Sequence, residues 1–435
     1  MSAKGSERTQ LRRDWMVTTA TSVVTGLVVF VAAPIAANRL GPEGRGTLVT
    51  VQLLPQLLGG LASVGLGFSI IHFGSRERRS VRALWRWSLP RCALGAAVTF
   101  AIGQLIAPLI TSSGSDERML RVYLFLCPIL AFTDVPYELL RALGLFRAWN
   151  AFTFVTKVVW PAALVIGVLQ PTPSLWMVVW LHLGASVVIL AFLVFLTLRV
   201  SDGRSAVPQA ERSEFLSYGV KSALSTIPSS ANARSDQLVM AALVTKSELG
   251  LYAAATGWSQ LTLPVMRGLI AVSMPFVSSA DDENRRARVA RLMSLGVASV
   301  VILSAGGILA TLVLWGPLYG AEFTSALPAA IVLVVASLVL QYNGVLGNIL
   351  RSLERPGLVT WIEAGVLVFS TLALLVALRI DPVMGAALVS LVTYTIAAFV
   401  YARQISSRLD IHAGALFDFG GGVEMIRQIR QRFSR

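Results

Sequence analysis

Apolar residues in this chain do not alternate with polar ones at the period of a strand or of an amphipathic helix. They run in long blocks separated by short polar connectors. The blocks fall at about 15–37, 47–73, 87–110, 119–140, 149–169, 175–198, 215–244, 249–278, 292–314, 325–350, 357–378 and 382–402. A hydrocarbon core of ~30 Å takes roughly 20 apolar residues per helix, so each block is long enough to cross a bilayer. The pattern predicts an all-α polytopic membrane protein of twelve transmembrane helices. Block seven departs from the others: Ser, Thr, Asn and charges crowd its first two-thirds, and a hydropathy window alone skips it.

Connector charge argues for keeping it. With block seven counted, 26 of the 37 Lys and Arg fall on one side: the N-tail, the second connector (Arg76 to Arg86), Arg141 and Arg147, Arg199 to Arg212, Arg285 to Arg291, Arg351 and Arg355, and the tail from Arg403. The opposite connectors hold Arg39, Arg45, Arg118, Lys246 and Arg379. The positive-inside rule then places both termini in the cytoplasm, whereas deleting block seven would put Arg285 to Arg291 and the basic tail outside. The net charge of +14 is read as a topology signal and requires no nucleic-acid partner, though the basic inner face also attracts anionic inner-leaflet lipids.

Composition agrees with this class: 55% hydrophobic and 14% charged residues, with a mean hydropathy of +0.69, exclude a water-soluble chain. Twelve spans use about 240 residues and leave no room for a separate soluble domain. The first block is too long for a signal peptide and lacks a small-residue cleavage site, so it is expected to remain in the mature protein. Cys92 and Cys127 sit in apolar stretches, which points away from redox chemistry and metal.

The chain repeats itself. At an offset of 204 residues Gly46 aligns with Gly250, Gln56 with Gln260, and Ser69 with Ser273; Thr18, Thr21, Ser22 and Thr25 align with Ser222, Ser225, Thr226 and Ser229. At an offset of 210, Leu140-Arg141-Ala142-Leu143 resembles Leu350-Arg351-Ser352-Leu353. Six spans per half is an even number, so both halves cross in one direction. The expectation is two six-helix lobes related by a pseudo-two-fold along the membrane normal, with substrate between them. The divisions are a cytoplasmic N-tail (1–14), an N-lobe (15–198), a linker (199–214), a C-lobe (215–402) and a basic cytoplasmic tail (403–435), whose segment 423–435 reads as a short basic helix on the inner leaflet.

Each lobe opens with a helix carrying a stripe of hydroxyls, which serves interhelical packing or lines a cleft. In the seventh span Lys221, Asn232, Arg234 and Asp236 join Ser222, Ser225 and Ser229, and charges at that depth are costly unless they face water or each other. The remaining intramembrane charges singled out are Asp134 and Glu138 on span four, Lys157 on span five, Arg267 on span eight and Glu363 on span eleven. At ~1.5 Å per residue, Lys157, Lys221, Arg267, Asp134 and Glu363 lie roughly 9–17 Å deep. Glu138 is expected to pair with Arg141 at the interface. Asp134, Asp236 and Glu363 are candidates for coupling to protons or sodium, the rival reading being fixed partners of Lys or Arg, with Asp236 and Arg234 the obvious pair. Lys157, Lys221 and Arg267, with Arg234, Ser222, Ser225, Ser229 and Asn232, are candidates for substrate binding. Pro161, Pro228 and Pro264 are expected to bend spans five, seven and eight near these charges. Eight tryptophans, among them Trp85 and Trp315, fall near span ends as interface anchors do; Trp160, Trp258, His72 and His182 read as structural.

No GxxxxGK[ST] loop, His/Cys cluster or GxSxG elbow is present, and external connectors of about ten residues leave no place for an embedded transferase. The reading is a non-enzyme, with no catalytic residues, cofactor or metal. The stretch Asn38-Arg39-Leu40-Gly41-Pro42-Glu43-Gly44-Arg45-Gly46 resembles a loop of polysaccharide biosynthesis proteins of the multidrug, oligosaccharidyl-lipid and polysaccharide exporter superfamily. Arg234-Ser235-Asp236-Gln237-Leu238, followed by Glu248-Leu249-Gly250-Leu251-Tyr252-Ala253, does so too. The resemblance covers the chain to about residue 403. It implies a flippase of the bacterial plasma membrane moving undecaprenyl-diphosphate-linked glycans by alternating access through a cationic cavity, with other glycan-assembly membrane proteins as further partners. The alternatives are a cation-coupled exporter of small amphipathic compounds and, from another class, an embedded glycosyltransferase or scaffold. The drug-exporter branch carries an acidic residue inside the first span, and this chain has none between Trp15 and Ala37.

Overall fold

The computed structural model describes residues 2–63, 65–74, 81–111, 113–200, 212–232, 234–278 and 282–409, without the side chains of 2–23, 74, 81–84, 200, 224–230, 262–263, 265 and 282–283; the proposed helix at 423–435 and most of the 199–214 linker lie outside them. Among the described residues the fold is helical throughout. In chain order the helices are α1 (Ser2–Leu61), α2 (Leu66–Gly74), α3 (Val81–Ile110), α4 (Gly114–Tyr123), α5 (Leu126–Ala142), α6 (Phe146–Val168), α7 (Leu175–Val200), α8 (Arg212–Asn232), α9 (Ser235–Leu243), α10 (Lys246–Ser259), α11 (Leu263–Ser278), α12 (Asp282–Tyr319), α13 (Leu327–Ser352), α14 (Pro356–Ala377) and α15 (Pro382–Leu409). Helix runs through every one of the twelve apolar blocks. Nine stretches among the described residues are long and apolar enough to cross a membrane; one of them, Val24–Leu61, holds parts of both the first and the second block. Block seven is absent from the nine: α9 is only nine residues long, and α8 carries the block's serines and charges.

Four blocks are broken inside. Block two stops at Leu61 and restarts at Leu66, block four pauses between Tyr123 and Leu126, and block seven is interrupted between Asn232 and Ser235. Block eight passes through a 3-10 turn at Gln260–Thr262, immediately before Pro264, the residue that deprives the Gln260 carbonyl of its helical partner. The proline expectation holds there. At Pro161 and Pro228 helix continues beyond the proline, α6 running through the first and α8 past the second to Asn232.

The chain divides into two compact units, Met1–Ala242 and Leu243–Arg435. The seventh block thus groups with the first six. In the first unit a core of Leu120, Tyr123, Leu124, Leu126 and Cys127 packs with Val51, Leu54 and Val179. A second core joins Leu66, Ile70, Trp85, Cys92, Val135 and Leu139 to Phe215 of α8. In the second unit α13 is the central helix, touching α10, α11, α12 and α15. Both cysteines are free and buried.

Two sites of the sequence repeat are also repeats of backbone. Gly41, non-helical at φ 65° and ψ 179°, is followed by Pro42 and a new helical run, as Thr245 at ψ 155° is followed by α10. Thr245 closes its helix with a capping box, its hydroxyl accepting from Glu248 N–H (3.3 Å) while Glu248 Oε2 accepts from Thr245 N–H (2.9 Å). The first half has glycines at both places and relies on Pro42, whose ring pre-sets the first helical φ. At the ends of α5 and α13 the same cap recurs. Leu145 N–H donates to Leu140 C=O and Gly144 N–H to Arg141 C=O; 210 residues on, Arg355 N–H donates to Leu350 C=O and Glu354 N–H to Arg351 C=O. Each is a Schellman turn with its pivot at positive φ, 72° at Gly144 and 62° at Glu354.

Tryptophan placement corrects part of the sequence reading. Trp315 is 1% exposed and donates from Nε1 to the Phe323 carbonyl (3.0 Å), stacked on Tyr319 beside Trp258. Trp85 belongs to the second core. Both rings are covered by protein side chains, where an interface anchor would be open. Trp258, donating to Thr311 Oγ1 (2.7 Å), and Trp160, packed on Tyr123 and His182, are structural as expected.

Candidate functional site

The candidate residues separate into groups tied into helix contacts and groups left at the surface. Asp134 belongs to the first. It stands on α5 opposite the break in block two, where its carboxylate accepts from the Ser63 hydroxyl and the Gly67 N–H. Gly67 opens α2, whose first amides have no helical acceptor, so the carboxylate supplies one and sits at the positive end of the short helix. Glycine is required there, since a Cβ on Gly67 would come within 2.6 Å of Asp134 Oδ2. One turn further along α5, Glu138 lies 3.8 Å from Arg141, the expected interfacial pair.

α8 docks on α2 directly beyond this point. Gly65, at φ 73°, could carry no side chain, because a Cβ would run into the Gly219 carbonyl. A Cβ on Gly219 would in turn meet Ser69 Oγ at 2.6 Å and the Gly65 carbonyl oxygen at 2.8 Å. Ser69 Oγ donates to the Phe215 carbonyl at 2.6 Å, and the Phe215 ring, 1% exposed, fills the pocket between α2, α3 and α5. Trp87 meets that ring edge-on at 5.1 Å, and His72 stacks on Tyr218 at 4.3 Å. Phe215 and Gly219 are one turn apart and define the buried side of α8; Lys221 lies on its exposed side and Ser222 is half-buried.

The other cations are also at the surface. Lys157 on α6 and Arg267 on α11 are exposed, the first in one unit and the second in the other, and Arg234 is exposed at the break between α8 and α9. Asn232 is 4% exposed at the end of α8. Asp236 Oδ1 accepts the Gln237 N–H at 2.7 Å in the first turn of α9. The side chains of Ser225 and Ser229 lie outside the described residues. In the second unit Glu363 accepts from the Tyr401 hydroxyl at 3.1 Å, linking α14 to α15. Beside it Asn348 Nδ2 donates to the Ile270 carbonyl and to Ser273 Oγ, both at 3.0 Å, and its Oδ1 accepts from Arg351 Nη1 at 3.0 Å.

Sequence reading passed over several of these groups. Asn348 is neutral and so escaped a search for charges. Arg91 sits one turn after Trp87, donates to its carbonyl (2.6 Å) and lies 3.8 Å over its ring, a spacing that signals cation–π contact in a helix. Arg121 is held by Glu117 (2.8 Å) and Gln104 (2.9 Å). The break in block two had a visible signal, the glycines at 59, 60, 65 and 67 within one apolar run. Among the described residues no group of three His, Cys, Asp or Glu side chains is placed to hold a metal ion.

A family model described as polysaccharide biosynthesis protein matches residues 40–328, about two thirds of the chain. The chain belongs to this family. Among curated proteins this family member is 21% identical over 180 residues to a protein of Haloferax volcanii called "Probable low-salt glycan biosynthesis flippase Agl15"; the match spans 40% of the chain and 38% of the relative's length. Its fold is that of a lipid II flippase, MurJ, in an inward closed conformation, with a TM-score of 0.74 at 11% identity over 96% of this chain and 93% of that one. It is likewise similar to an inward-facing multidrug resistance MATE family transporter, with a TM-score of 0.69 at 14% identity over 88% and 95%. The polysaccharide biosynthesis family member is therefore a multi-pass membrane protein, and the proteins it is similar to are called flippases and transporters.

Proposed function

We propose that the chain is a flippase translocating an undecaprenyl-diphosphate-linked oligosaccharide or polysaccharide precursor across the bacterial plasma membrane by alternating access. Twelve helices cross the bilayer in two six-helix lobes of common direction, with both termini in the cytoplasm. The observation that carries the reading is the division of charge. Asp134 and Glu363 accept hydrogen bonds from neighbouring helices inside their own units, and Lys157, Lys221 and Arg267 have exposed side chains on α6, α8 and α11. Balanced on paper, the intramembrane charges become cationic where a ligand can reach them. A diphosphate arriving from the inner leaflet is then oriented by two or three charge-assisted contacts, with Ser222, Ser225, Ser229, Asn232 and Arg234 offering further donors along the same helix. Anionic lipids and other glycan-assembly proteins are its expected surroundings.

The MATE-like fold keeps a second reading in play, a cation-coupled exporter of amphipathic compounds. It needs negative cavity walls, and the first span has no acidic residue between Trp15 and Ala37. Any coupling to protons or sodium falls to Asp134, Asp236 or Glu363. Charge reversal at Lys157, Lys221 or Arg267 should abolish export of surface glycan while the protein inserts and accumulates normally, and Lys→Arg should retain part of the activity. Full export by the triple Lys157→Ala, Lys221→Ala, Arg267→Ala variant would overturn the cationic site. In a background lacking Cys92 and Cys127, an impermeant thiol reagent on intact cells should label Ser115→Cys and Pro173→Cys but not Ser80→Cys or Ser205→Cys.

A further inference from the structure

We propose that the groove where α3 meets α4 holds a phospholipid with a primary-amine head group, its phosphate on Arg121 and its ammonium on Glu117. The site stands independently of the flippase reading. The groove has a volume of about 580 Å³ and is lined by Phe100, Ala101, Gln104, Leu105, Pro108 and Arg121. Its apolar wall faces the hydrocarbon: Leu105, in a stretch long and apolar enough to cross a membrane, is 76% exposed, and Phe125, 5.0 Å from Phe100, is 54% exposed. Into that wall α4 puts a cation. Arg121 stands seven residues, or about 10 Å, from the start of α4, where an ionised side chain is costly without partners. Glu117 and Gln104 supply them. Arg121 Nε and Nη2 both lie against Glu117 Oε1 (2.8 and 2.7 Å), and Nη1 donates to Gln104 Oε1 (2.9 Å). Gln104 Nε2 returns a bond to the Arg121 carbonyl (3.1 Å), so the guanidinium is fixed from both helices.

The groups left over select the ligand. A guanidinium has five N–H donors, and here one on each Nη is not directed at these partners. Among the described residues both bonds to Glu117 fall on Oε1, which leaves Oε2 to accept. Both side chains remain partly open, 41% for Arg121 and 31% for Glu117. Arg118 is turned away, its Nε donating to the Gly114 carbonyl (3.2 Å). One cation beside one anion makes a neutral, dipolar site, which favours a zwitterion over a head group of net charge. A phosphate accepts charge-assisted bonds from Arg121, and an ammonium donates one to Glu117. The order along the helix agrees. Counting from the connector 111–113, Glu117 comes first, Arg121 lies one turn deeper, and Phe125 with Phe100 a turn deeper again. An ethanolamine phospholipid presents ammonium, phosphate and acyl chain in that same order from the surface. A trimethylated amine has no N–H for Glu117, and a glycerol head group brings it no positive charge.

Native mass spectrometry of the full chain in detergent tests it, with synthetic phosphatidylethanolamine, phosphatidylcholine and phosphatidylglycerol of identical acyl chains. The wild type should retain phosphatidylethanolamine several-fold over phosphatidylcholine. Equal retention would show an unselective coat of lipid and overturn the proposal. Glu117→Gln keeps the size of the side chain and an acceptor for Arg121, and should bring phosphatidylethanolamine down to the level of phosphatidylcholine; a preference that survives it places the lipid elsewhere and overturns the site. Leu105→Trp fills the groove and should lower retention of phosphatidylethanolamine several-fold while leaving phosphatidylglycerol, held by basic side chains elsewhere, unchanged. Loss of phosphatidylglycerol to the same extent would mark a plain anion site on Arg121 and overturn the zwitterion. Should either variant fail to accumulate, the wild-type ratio of phosphatidylethanolamine to phosphatidylcholine decides alone.

Discussion

The ends of α5 and α13 are one backbone turn made from two sets of side chains. Both carry the same pair of Schellman hydrogen bonds and an arginine at the same place, Arg141 and Arg351. Three residues before the arginine, the first has Glu138, an ion-pair partner at 3.8 Å; the second has Asn348, whose amide ties α13 to α11 through Ile270 and Ser273. The pivot is glycine in one and glutamate in the other. Backbone geometry has been retained while the side chains were put to different use, polar cross-bracing in the second unit and a local surface pair in the first.

That contrast makes graded predictions. Asn348→Ala removes the amide that ties α13 to Ile270 and Ser273 of α11 and should cost about 1–3 kcal/mol, seen as a clear fall in the thermal midpoint of the detergent-solubilised protein. Gly144→Ala comes next. No atom lies within 4 Å of a Cβ there, so the whole penalty is left-handed backbone, about 1–2 kcal/mol. Relief of the same strain predicts that Glu354→Gly raises the midpoint, by about 1 kcal/mol once glycine's greater entropy in the unfolded chain is set against it. The smallest change belongs to Glu138→Ala, about 0–1 kcal/mol, since the pair is long at 3.8 Å and its arginine end is open to solvent. If Glu138→Ala proved as damaging as Asn348→Ala, the two turns would be equivalent in energy as well as in shape.

Much of this architecture is legible in the sequence because membranes make hydrophobicity and charge speak plainly. The twelve blocks each contain helix, and counting connector charge retained block seven where hydropathy alone loses it. The offset of 210 found the paired turns from Leu-Arg-x-Leu alone. What escaped was set by partners distant in sequence. Nothing local to Asp134 announces Ser63 and Gly67, and a lone asparagine in an apolar run says nothing of the carbonyl it will meet 78 residues away. Proline ended no helix at 161 or 228, since a membrane helix can absorb a missing hydrogen bond. Among the site residues, the charges were found and their grouping was not: the three cations stand on separate helices, and two of the three carboxylates brace helix contacts.

α12 has a consequence for how the protein floats. Its 38 residues make a rod of about 57 Å, close to twice the ~30 Å hydrocarbon thickness. Arg285, Arg286, Arg288 and Arg291 ring one end, and Arg288 is moored to the end of α11, with Nη1 donating to the Phe276 carbonyl at 3.0 Å and the guanidinium 5.3 Å from the Phe276 ring. Beyond them Val301, Ile302, Leu309, Leu312 and Val313 expose an apolar flank. A rod with surplus length can tilt or ride up as the bilayer thins or thickens, at a cost of only fractions of a kcal/mol per Å, while long arginine stems keep their charges among the phosphates. The immersion depth of the second unit is thus set by a collar and not by span length, which suits a carrier that must work in bilayers of changing thickness.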